Sequence, residues 1–383
     1  MSGRKLEQAV GQRLSRTRGV DGDCRYRCRK GSTSLGFCPP LLACFDLKSE
    51  LGKADRQSAS RESEIGGTDQ GTIVGISRPF RFGLQLASDI DRDPVADALR
   101  AEAAGFDIVL VGDHIGPEYA PLVTLAAIAA ATTRCRIGTL VLNADTRNPV
   151  QVAWEAMTLD LLSGGRFELG VGAGHTPQEY PAMGLVRDAA KLRKRRLAEN
   201  VEIIRRLLDG ENVTLDGAFR RLENAHIGHS VQERLPLLVG GNGSELLAHA
   251  GAHADIIGLQ GLGRTLADGH RHDLRWSPDW LDIQLEQIRH GAGDRFDRLE
   301  LNALVQRVEI TDDRSTAIKD LCDRIDGLDP AHAEVIPYLL MGTVEEIIDQ
   351  LHRCRERWGI SYFAVRDLDS FAPVIAALDA SRP

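Results

Sequence analysis

The chain has 383 residues, of which 43% are hydrophobic and 27% are charged, the ordinary composition of a globular protein. Its formal net charge of −8 argues against a nucleic-acid-binding protein, which usually needs a basic face. The sequence contains no apolar run of about eighteen residues, so we expect no membrane-spanning segment.

The first part of the chain differs in character from the rest. Residues 1–78 are rich in serine, glycine and arginine and show no sustained helical or strand period. We expect them to form a disordered extension, or to be sequence upstream of the true start, in front of one domain at 79–383. The segment also carries four cysteines, which could hold zinc or an iron–sulfur cluster but fit no strong template, so unpaired thiols are favoured. These cysteines are Cys24, Cys28, Cys38 and Cys44.

From Phe80 onward, apolar runs alternate with helical sequence. Asp93 and Pro94 mark a helix start, Gly105 ends that helix, and a hairpin is expected around Asp216 and Gly217. The predicted strands are Phe82–Leu86, Asp107–Gly112, Arg136–Leu142, Phe167–Gly170, Pro236–Gly240, Asp255–Leu259, Leu299–Ile310 and Ile360–Arg366. The predicted helices span 93–104, 121–133, 149–162, 188–208, 244–251, 278–290, 314–325 and 344–358.

Eight strands in alternation with helices predict an α/β fold of the (β/α)₈ TIM-barrel type. A doubly wound open sheet is the alternative, disfavoured by the strand count and by the absence of a dinucleotide-binding fingerprint. The stretch 260–276 breaks the alternation, so we expect it to be a long insertion at the C-terminal face of the barrel. Mobile loops at that face commonly cover an active site.

In a TIM barrel, the chemistry gathers at the C-terminal ends of the strands. Asp113 and His114 directly follow an all-apolar strand, where an imidazole can transfer a proton or orient a substrate. A capping aspartate beside a satisfied histidine is the structural alternative. The position of the pair at the end of a buried strand favours the functional interpretation.

Two glycine-rich turns follow other strands. The turn Gly240–Ser244 precedes a helix, and its free N–H groups favour a phosphate, although a plain turn is the alternative. The run Gly170–Gly174 fails the dinucleotide fingerprint and better suits a wall beside a flat ring. The charged run 193–196 is interpreted as a solvated face from which one arginine could reach a phosphate. His270 and His272 form only a weak metal candidate.

The chain from about 79 to 370 resembles the luciferase-like superfamily, and within it the coenzyme F420-dependent oxidoreductases of actinobacteria. The resemblance is carried by six motifs: 78–83, Asp113-His114, Arg147-Asn148-Pro149, Leu159–Gly174, 235–244 and 341–346. It implies a TIM barrel that holds a deazaflavin ring at its C-terminal mouth. It also implies a non-prolyl cis peptide at Leu140-Val141, next to Asn143.

The same resemblance assigns roles to individual residues. Leu140, Val141 and Asn143 would support the ring, Gly172, Gly174 and His175 would border it, and the cofactor phosphate would lie on the turn. That turn comprises Gly241, Asn242, Gly243 and Ser244. His114 would act as the acid/base or ring-orienting group, and Asp113 would orient His114 or bond the cofactor. Sugar-phosphate dehydrogenases of the superfamily carry glutamate where this chain has His175, which leaves the substrate open.

We therefore expect an F420-dependent oxidoreductase that transfers a hydride to or from a small organic substrate. One alternative is an FMNH₂-dependent monooxygenase, which would use FMN and a separate flavin reductase. Another is a non-catalytic flavin- or deazaflavin-binding protein. We expect a cytoplasmic protein, since Cys135, Cys322 and Cys354 are scattered through core elements as reduced cysteines are. The resemblance implies a homodimer. We expect no metal and no nucleic-acid or membrane partner.

Overall fold

A computed structural model describes residues 78–87, 89–265 and 272–380. Apart from Arg78, the predicted extension and its four cysteines lie outside these residues, as do Ser88 and His270. The strands are β1 (Arg81–Gln85), β2 (Ile108–Val111), β3 (Arg136–Thr139), β4 (Leu142–Asn143), β5 (Phe167–Gly172), β6 (Val213–Asp216), β7 (Arg221–Ala225), β8 (Leu237–Gly240), β9 (Ile256–Leu259), β10 (Leu262–Thr265), β11 (His272–Leu274), β12 (Glu300–Leu304), β13 (Arg307–Ile310), β14 (Leu339–Gly342) and β15 (Ile360–Val365).

Helices follow the strands on the outside of the sheet. They are α1 (Pro94–Ala103), α2 (Pro121–Ala131), α3 (Pro149–Ser163), α4 (Glu179–Ala182), α5 (Ala190–Leu208), α6 (Ser244–His253), α7 (Pro278–Ala292), α8 (Arg314–Cys322), α9 (Pro330–Ala333), α10 (Val344–Trp358) and α11 (Leu368–Ala380), with a 3₁₀ turn at Gly293–Arg298. Capping residues and prolines determine where these helices begin. Asp93 Oδ1 accepts from the N–H groups of Val95 and Ala96 at 3.0 Å, and Pro94 opens α1 as predicted.

Within the described chain, eight parallel strands close a barrel. The sheet runs β3-β2-β1-β15-β12-β9-β8-β5, and β3 pairs with β5 to close it. The two-residue strand β4 continues the β3 position and also pairs with β5. The predicted TIM barrel is therefore confirmed, and the open-sheet alternative is excluded because the two ends of the sheet are hydrogen-bonded.

Three smaller strand pairs lie outside the barrel. The predicted hairpin around Asp216 and Gly217 is confirmed as β6 and β7. The stretch 260–276, expected to be a loop, contains the antiparallel pair β10 and β11. The predicted strand Leu299–Ile310 is wrong as one element: β12 ends at Leu304, and β13 leaves the barrel to pair with β14, a strand that the sequence analysis missed.

The barrel interior is filled with side chains rather than open. Eight buried residues form its apolar cluster: Ile108, Leu110, Leu140, Leu238, Ile256, Leu304, Tyr362 and Ala364. Val141 packs against this cluster and is only half-buried. One side of Val141 therefore contacts the cluster, and the other side is accessible from outside the barrel. Among the described helices, none is long and apolar enough to cross a membrane.

Candidate active site

The ring of His114 lies at the C-terminal ends of the barrel strands, which we call the mouth. His114 comes three residues after the last residue of β2, and its Nδ1 lies 2.7 Å from Oε1 of Glu179. The hydrogen bond to Glu179 raises the pKa of His114 above its ordinary value. The histidine side chain is 41% exposed, whereas that of Glu179 is 8% exposed. This is an oriented imidazole that can hold or release a proton at its outer nitrogen.

Glu179 is held in place by the short helix α4. The next residue, Tyr180, is buried, and its hydroxyl donates to Asp145 Oδ2 at 2.9 Å. The hydrogen bond between Tyr180 and Asp145 fixes the backbone of Glu179 within reach of His114. The sequence analysis did not identify Glu179, because a carboxylate in an irregular loop carries no spacing signal.

Asp113 does not orient His114, contrary to one of the two roles expected of it. Arg147 donates to both of its carboxylate oxygens, at 2.9 and 3.0 Å, and the N–H of Asn143 donates to Oδ2 at 2.9 Å. Both oxygens are therefore engaged by the segment that follows β3. Asp113 fastens that segment to the end of β2, and Glu179 takes the orienting position instead.

His175 stands beside His114 at the mouth. The ring centroids of His114 and His175 are 5.3 Å apart at 85°, and those of His175 and His272 are 5.2 Å apart. Desolvation lowers the pKa of His175 to about 4, helped by repulsion from the two neighbouring histidines and from Arg187 and Arg193. At neutral pH, His175 is therefore uncharged and can accept a hydrogen bond.

The glycine run Gly170–Gly174, which begins within β5, packs closely against the segment that follows β3. A Cβ on Gly170 would lie 2.0 Å from Thr139 O, and one on Gly172 would lie 2.7 Å from Val141 Cγ2. One on Gly174, whose φ is +68°, would lie 2.3 Å from Asn143 Oδ1. The glycines thus make room for the segment 139–143, rather than standing bare beside a ligand.

That segment contains the cis peptide bond between Leu140 and Val141 that the resemblance implied. Gln85 Nε2 donates to Leu140 O at 2.7 Å, and Asp113 binds the Asn143 N–H, so the segment is fixed from two neighbouring strands. Val141 therefore presents a fixed apolar platform at the mouth, directly over the barrel core.

The turn after β8 has the features of an anion site. Gly243, with φ +101°, is the N-cap of α6 and supplies no side-chain cap, so its helix begins with N–H groups that no capping side chain satisfies. Lys194 Nζ donates to Asn242 O at 2.5 Å, which places its ammonium group on this turn. Desolvation lowers the pKa of Lys194, and an anion here would offset that loss of solvent.

The charged run 193–196 is therefore not the solvated face that was expected. Arg193 is buried and donates to the carbonyls of Ala173 and Gly174, and Arg196 bonds Asp145 and Asp188. The lysine of this run reaches the predicted phosphate turn. Only Arg195 is exposed among the four residues.

The structure brings most of the predicted site residues to one mouth. His114, His175 and the segment Leu140–Asn143 lie on one side, at β2 to β5, and Gly241–Ser244 lie at the end of β8. Between them is the Val141 platform. The mouth thus combines the hydrogen-bonded His114–Glu179 pair, the apolar surface of Val141 and a helix N-terminal turn that carries a lysine. This combination suits an oxidoreductase with a flat, phosphate-bearing cofactor.

The comparison with known families agrees with this class. Residues 74–272 match the model of the luciferase-like monooxygenase family. The chain belongs to this family.

Two bacterial relatives are named F420-dependent glucose-6-phosphate dehydrogenase. The protein of Nakamurella multipartita is 33% identical over 63% of this chain and 71% of its own length. That of Beutenbergia cavernae is 34% identical over 63% of this chain and 77% of its own length. Among solved structures, an F420-dependent secondary alcohol dehydrogenase with an F420-acetone adduct has a TM-score of 0.62 at 22% identity. It covers 79% of this chain and 99% of its own, and supports the fold.

Proposed function

We propose that this chain is a coenzyme F420-dependent oxidoreductase that transfers a hydride between the deazaflavin and a small organic substrate. The observation that carries the proposal is the placement of the His114–Glu179 pair and the Lys194 turn on different sides of the Val141 platform. The names of the relatives from Nakamurella and Beutenbergia support the choice of F420.

The residues of the mouth fit the cofactor. The turn Gly241–Ser244 offers uncapped helix N–H groups and the Lys194 ammonium, which suit a phosphate group. The half-buried Val141 offers an apolar surface for one face of a ring. Gly172 and Gly240 flank Val141 closely, since a Cβ on either would contact its methyl groups at 2.7 and 3.3 Å.

When bound, F420 would supply hydride chemistry, and the protein has to position the reactants and handle a proton. His114 is the group we assign to the proton transfer, because Glu179 occupies Nδ1 and leaves Nε2 for the substrate. His175 is uncharged at neutral pH and is assigned a hydrogen-bonding role beside it. Asp113 holds the platform through Arg147 and Asn143.

A titration of the purified chain with F420 and, separately, with FMN tests this assignment. We expect F420 to bind and its absorbance to change on binding, and we expect FMN to bind far more weakly. Tight binding of FMN without binding of F420 would contradict the proposal and favour the FMNH₂-dependent monooxygenase. Binding of F420 without hydride transfer to any compound would favour a non-catalytic binding protein.

Variants of two neighbouring residues, Lys194 and Arg195, test whether F420 binds at the turn Gly241–Ser244. Lys194→Ala removes a charged donor to the phosphate, so we expect the F420 Kd to rise about tenfold or more, as for a charge-assisted hydrogen bond. Arg195→Ala removes the exposed cation next to it and is the matched control. Equal Kd values for the two variants would place the cofactor phosphate elsewhere.

We also propose that the protein works as a cytoplasmic homodimer. In the described residues, Cys135, Cys322 and Cys354 are free thiols, which suits a reducing compartment.

The proposed dimer is supported by apolar side chains on the surface of α3. Trp154 and Leu161 are seven residues apart, on one side of the helix, and are 57% and 51% exposed. Sedimentation of the wild type should give a dimer and that of Trp154→Glu a monomer; a wild-type monomer would contradict the dimer.

A further inference from the structure

Arg366 is a further cation at the mouth, on the side away from the phosphate turn. It directly follows β15, between β12 and β1 in the barrel order, whereas the turn follows β8 across the mouth. Its Nε donates to Gln85 Oε1 at 2.9 Å and its Nη1 to Gln306 Oε1 at 2.8 Å. The side chain is open to solvent, although the protein around it partly desolvates the guanidinium.

Both glutamines are themselves fixed, so the guanidinium is held from two sides. Gln85 Nε2 donates to Leu140 O at 2.7 Å, and Gln306 Nε2 donates to Leu304 O at 3.1 Å. Because each amide nitrogen already faces a backbone carbonyl, each amide oxygen faces Arg366. Arg366 is thus positioned by neutral acceptors that leave its charge intact.

The charge has no counter-ion in the described part of the chain. No carboxylate there lies within ion-pair distance of Arg366, although the chain pairs many of its other arginines. Desolvation lowers the pKa of Arg366 to about 10, which still leaves it charged at neutral pH. The two bonds to glutamine use two of the five N–H groups of a guanidinium, so donors remain for an oxyanion.

Arg366 is connected to the catalytic side of the mouth through Gln85. A Cβ built on Gly112 would lie 3.7 Å from Gln85 Nε2, 3.9 Å from His114 Cδ2 and 3.9 Å from Leu140 O. The glutamine that holds Arg366 therefore borders the same small space as His114 and the platform. A molecule with an anionic group on Arg366 would therefore lie on the side of the mouth that Gln85 shares with His114.

We propose that Arg366, held by Gln85 and Gln306, is the subsite that binds an anionic group of the substrate, a carboxylate or a phosphate. The proposal rests on the proposed function, because it takes the turn at Gly241–Ser244 as the site of the cofactor phosphate. It assigns two cations of the mouth to different molecules: Lys194 to the cofactor and Arg366 to the substrate.

Anion binding is tested without knowledge of the substrate. Inorganic phosphate and short carboxylates (acetate, glycolate and pyruvate) are titrated into the F420-saturated wild type and into Arg366→Gln, Arg366→Lys and Arg206→Gln, with calorimetry as the readout. We expect at least one of the anions to bind the wild type, about tenfold or more weakly to Arg366→Gln, and with intermediate affinity to Arg366→Lys. Arg206→Gln, which removes a half-buried arginine of α5 paired with Glu211, should bind as the wild type does. Preference for phosphate or for the carboxylates identifies the group.

The F420 Kd separates this proposal from its alternatives. It should change less than threefold in Arg366→Gln, because the bond from Gln85 to Leu140 O does not require Arg366. A loss of F420 affinity with unchanged anion binding would make Arg366 a support for Gln85 and overturn the proposal. Failure of every anion to bind the wild type would also overturn it. Failure of F420 to bind the wild type would instead contradict the proposed function, and the anion titration can then be repeated on the protein alone.

Discussion

The two ends of the barrel carry charges of the same kinds but arrange them in opposite ways. At the N-terminal ends of the strands, which we call the floor, Arg81 bonds Glu168 and Glu300, each at 2.5 Å, and Arg136 also bonds Glu168. Glu168 is 5% exposed there. At the mouth, Arg147 is paired with Asp113, but Arg366 is held by two glutamines and Lys194 by a backbone carbonyl.

This difference separates stability from function within one set of strands. At the floor, burial alone would lower the pKa of Arg81, but the attraction of Glu168 and Glu300 outweighs burial and raises it. The cations and carboxylates there satisfy one another. At the mouth, desolvation lowers the pKa of Lys194 and of Arg366, so both cations are stabilised by an added anion. Charges paired inside the protein hold the fold, and charges held by neutral groups remain available to ligands.

The largest effect that would sharpen this comparison is expected at His114. His114→Ala should lower the rate of hydride transfer to or from F420 by about 10²–10⁴-fold, because it removes the group that we assign to the proton transfer. The free energy of unfolding should fall only by the contribution of the hydrogen bond to Glu179, since the His114 side chain is 41% exposed. Stopped-flow absorbance of F420 measures the rate, and His290→Ala, an exposed histidine on α7, is the matched control. A wild-type rate in His114→Ala would remove His114 from the mechanism.

The opposite pattern is expected at the floor. Glu168→Gln leaves Arg81 and Arg136 short of a buried counter-charge and should lower the free energy of unfolding by about 3 kcal/mol. The F420 Kd should remain that of the wild type. Urea denaturation measures the first quantity and an F420 titration the second. Glu211→Gln, which breaks an exposed pair with Arg206, should cost less than about 1 kcal/mol. A higher F420 Kd in Glu168→Gln would contradict the claim that the charges of the floor stabilise the fold without affecting ligand binding.

A smaller effect is expected from the glycine that accommodates the platform. Gly172→Ala places a methyl group 2.7 Å from Val141 Cγ2 and should lower stability by about 1–3 kcal/mol through overpacking. Since Val141 must move, F420 affinity should fall as well. Gly116→Ala is the matched control, because nothing lies within 4 Å of its added Cβ. Unchanged F420 affinity in Gly172→Ala would show that the platform does not support the cofactor.

The smallest expected effect is a shift in pH dependence. The hydrogen bond to Glu179 raises the pKa of His114, so Glu179→Gln should move the limb of the kcat/KM profile that His114 controls to lower pH. The His114–Glu179 pair stabilises the fold fully below the unfolded pKa of about 6.5 and loses that contribution as the pH rises through the raised folded pKa. Profiles of both proteins test this, and coincident limbs would mean that Glu179 does not tune His114.

The barrel was predictable from the sequence because its strands are continuous apolar runs in alternation with capped helices. The position of His114 followed from the rule that chemistry lies after the strand ends. The same rule, applied to β15, would have identified Arg366, which directly follows Val365. It was missed because it was read as the last residue of its strand.

Other parts of the mouth depend on contacts that spacing does not encode. Glu179 reaches His114 from an irregular loop whose position depends on the burial of Tyr180. The role of Asp113 required knowledge of where Arg147 returns to the mouth. The glycine run was correctly placed after its strand, but only the structure shows that Thr139, Val141 and Asn143 occupy the space that the missing side chains leave. β14 was missed because its partner β13 had been merged with β12.

A crystal structure of the F420 complex tests the central claim most directly. The account predicts density for the cofactor phosphate at Gly241–Ser244 beside Lys194, and for the deazaflavin ring against Val141 on the side of His114. A phosphate bound at Arg366 instead, or a ring that does not contact Val141, would contradict the division of the mouth between cofactor and substrate.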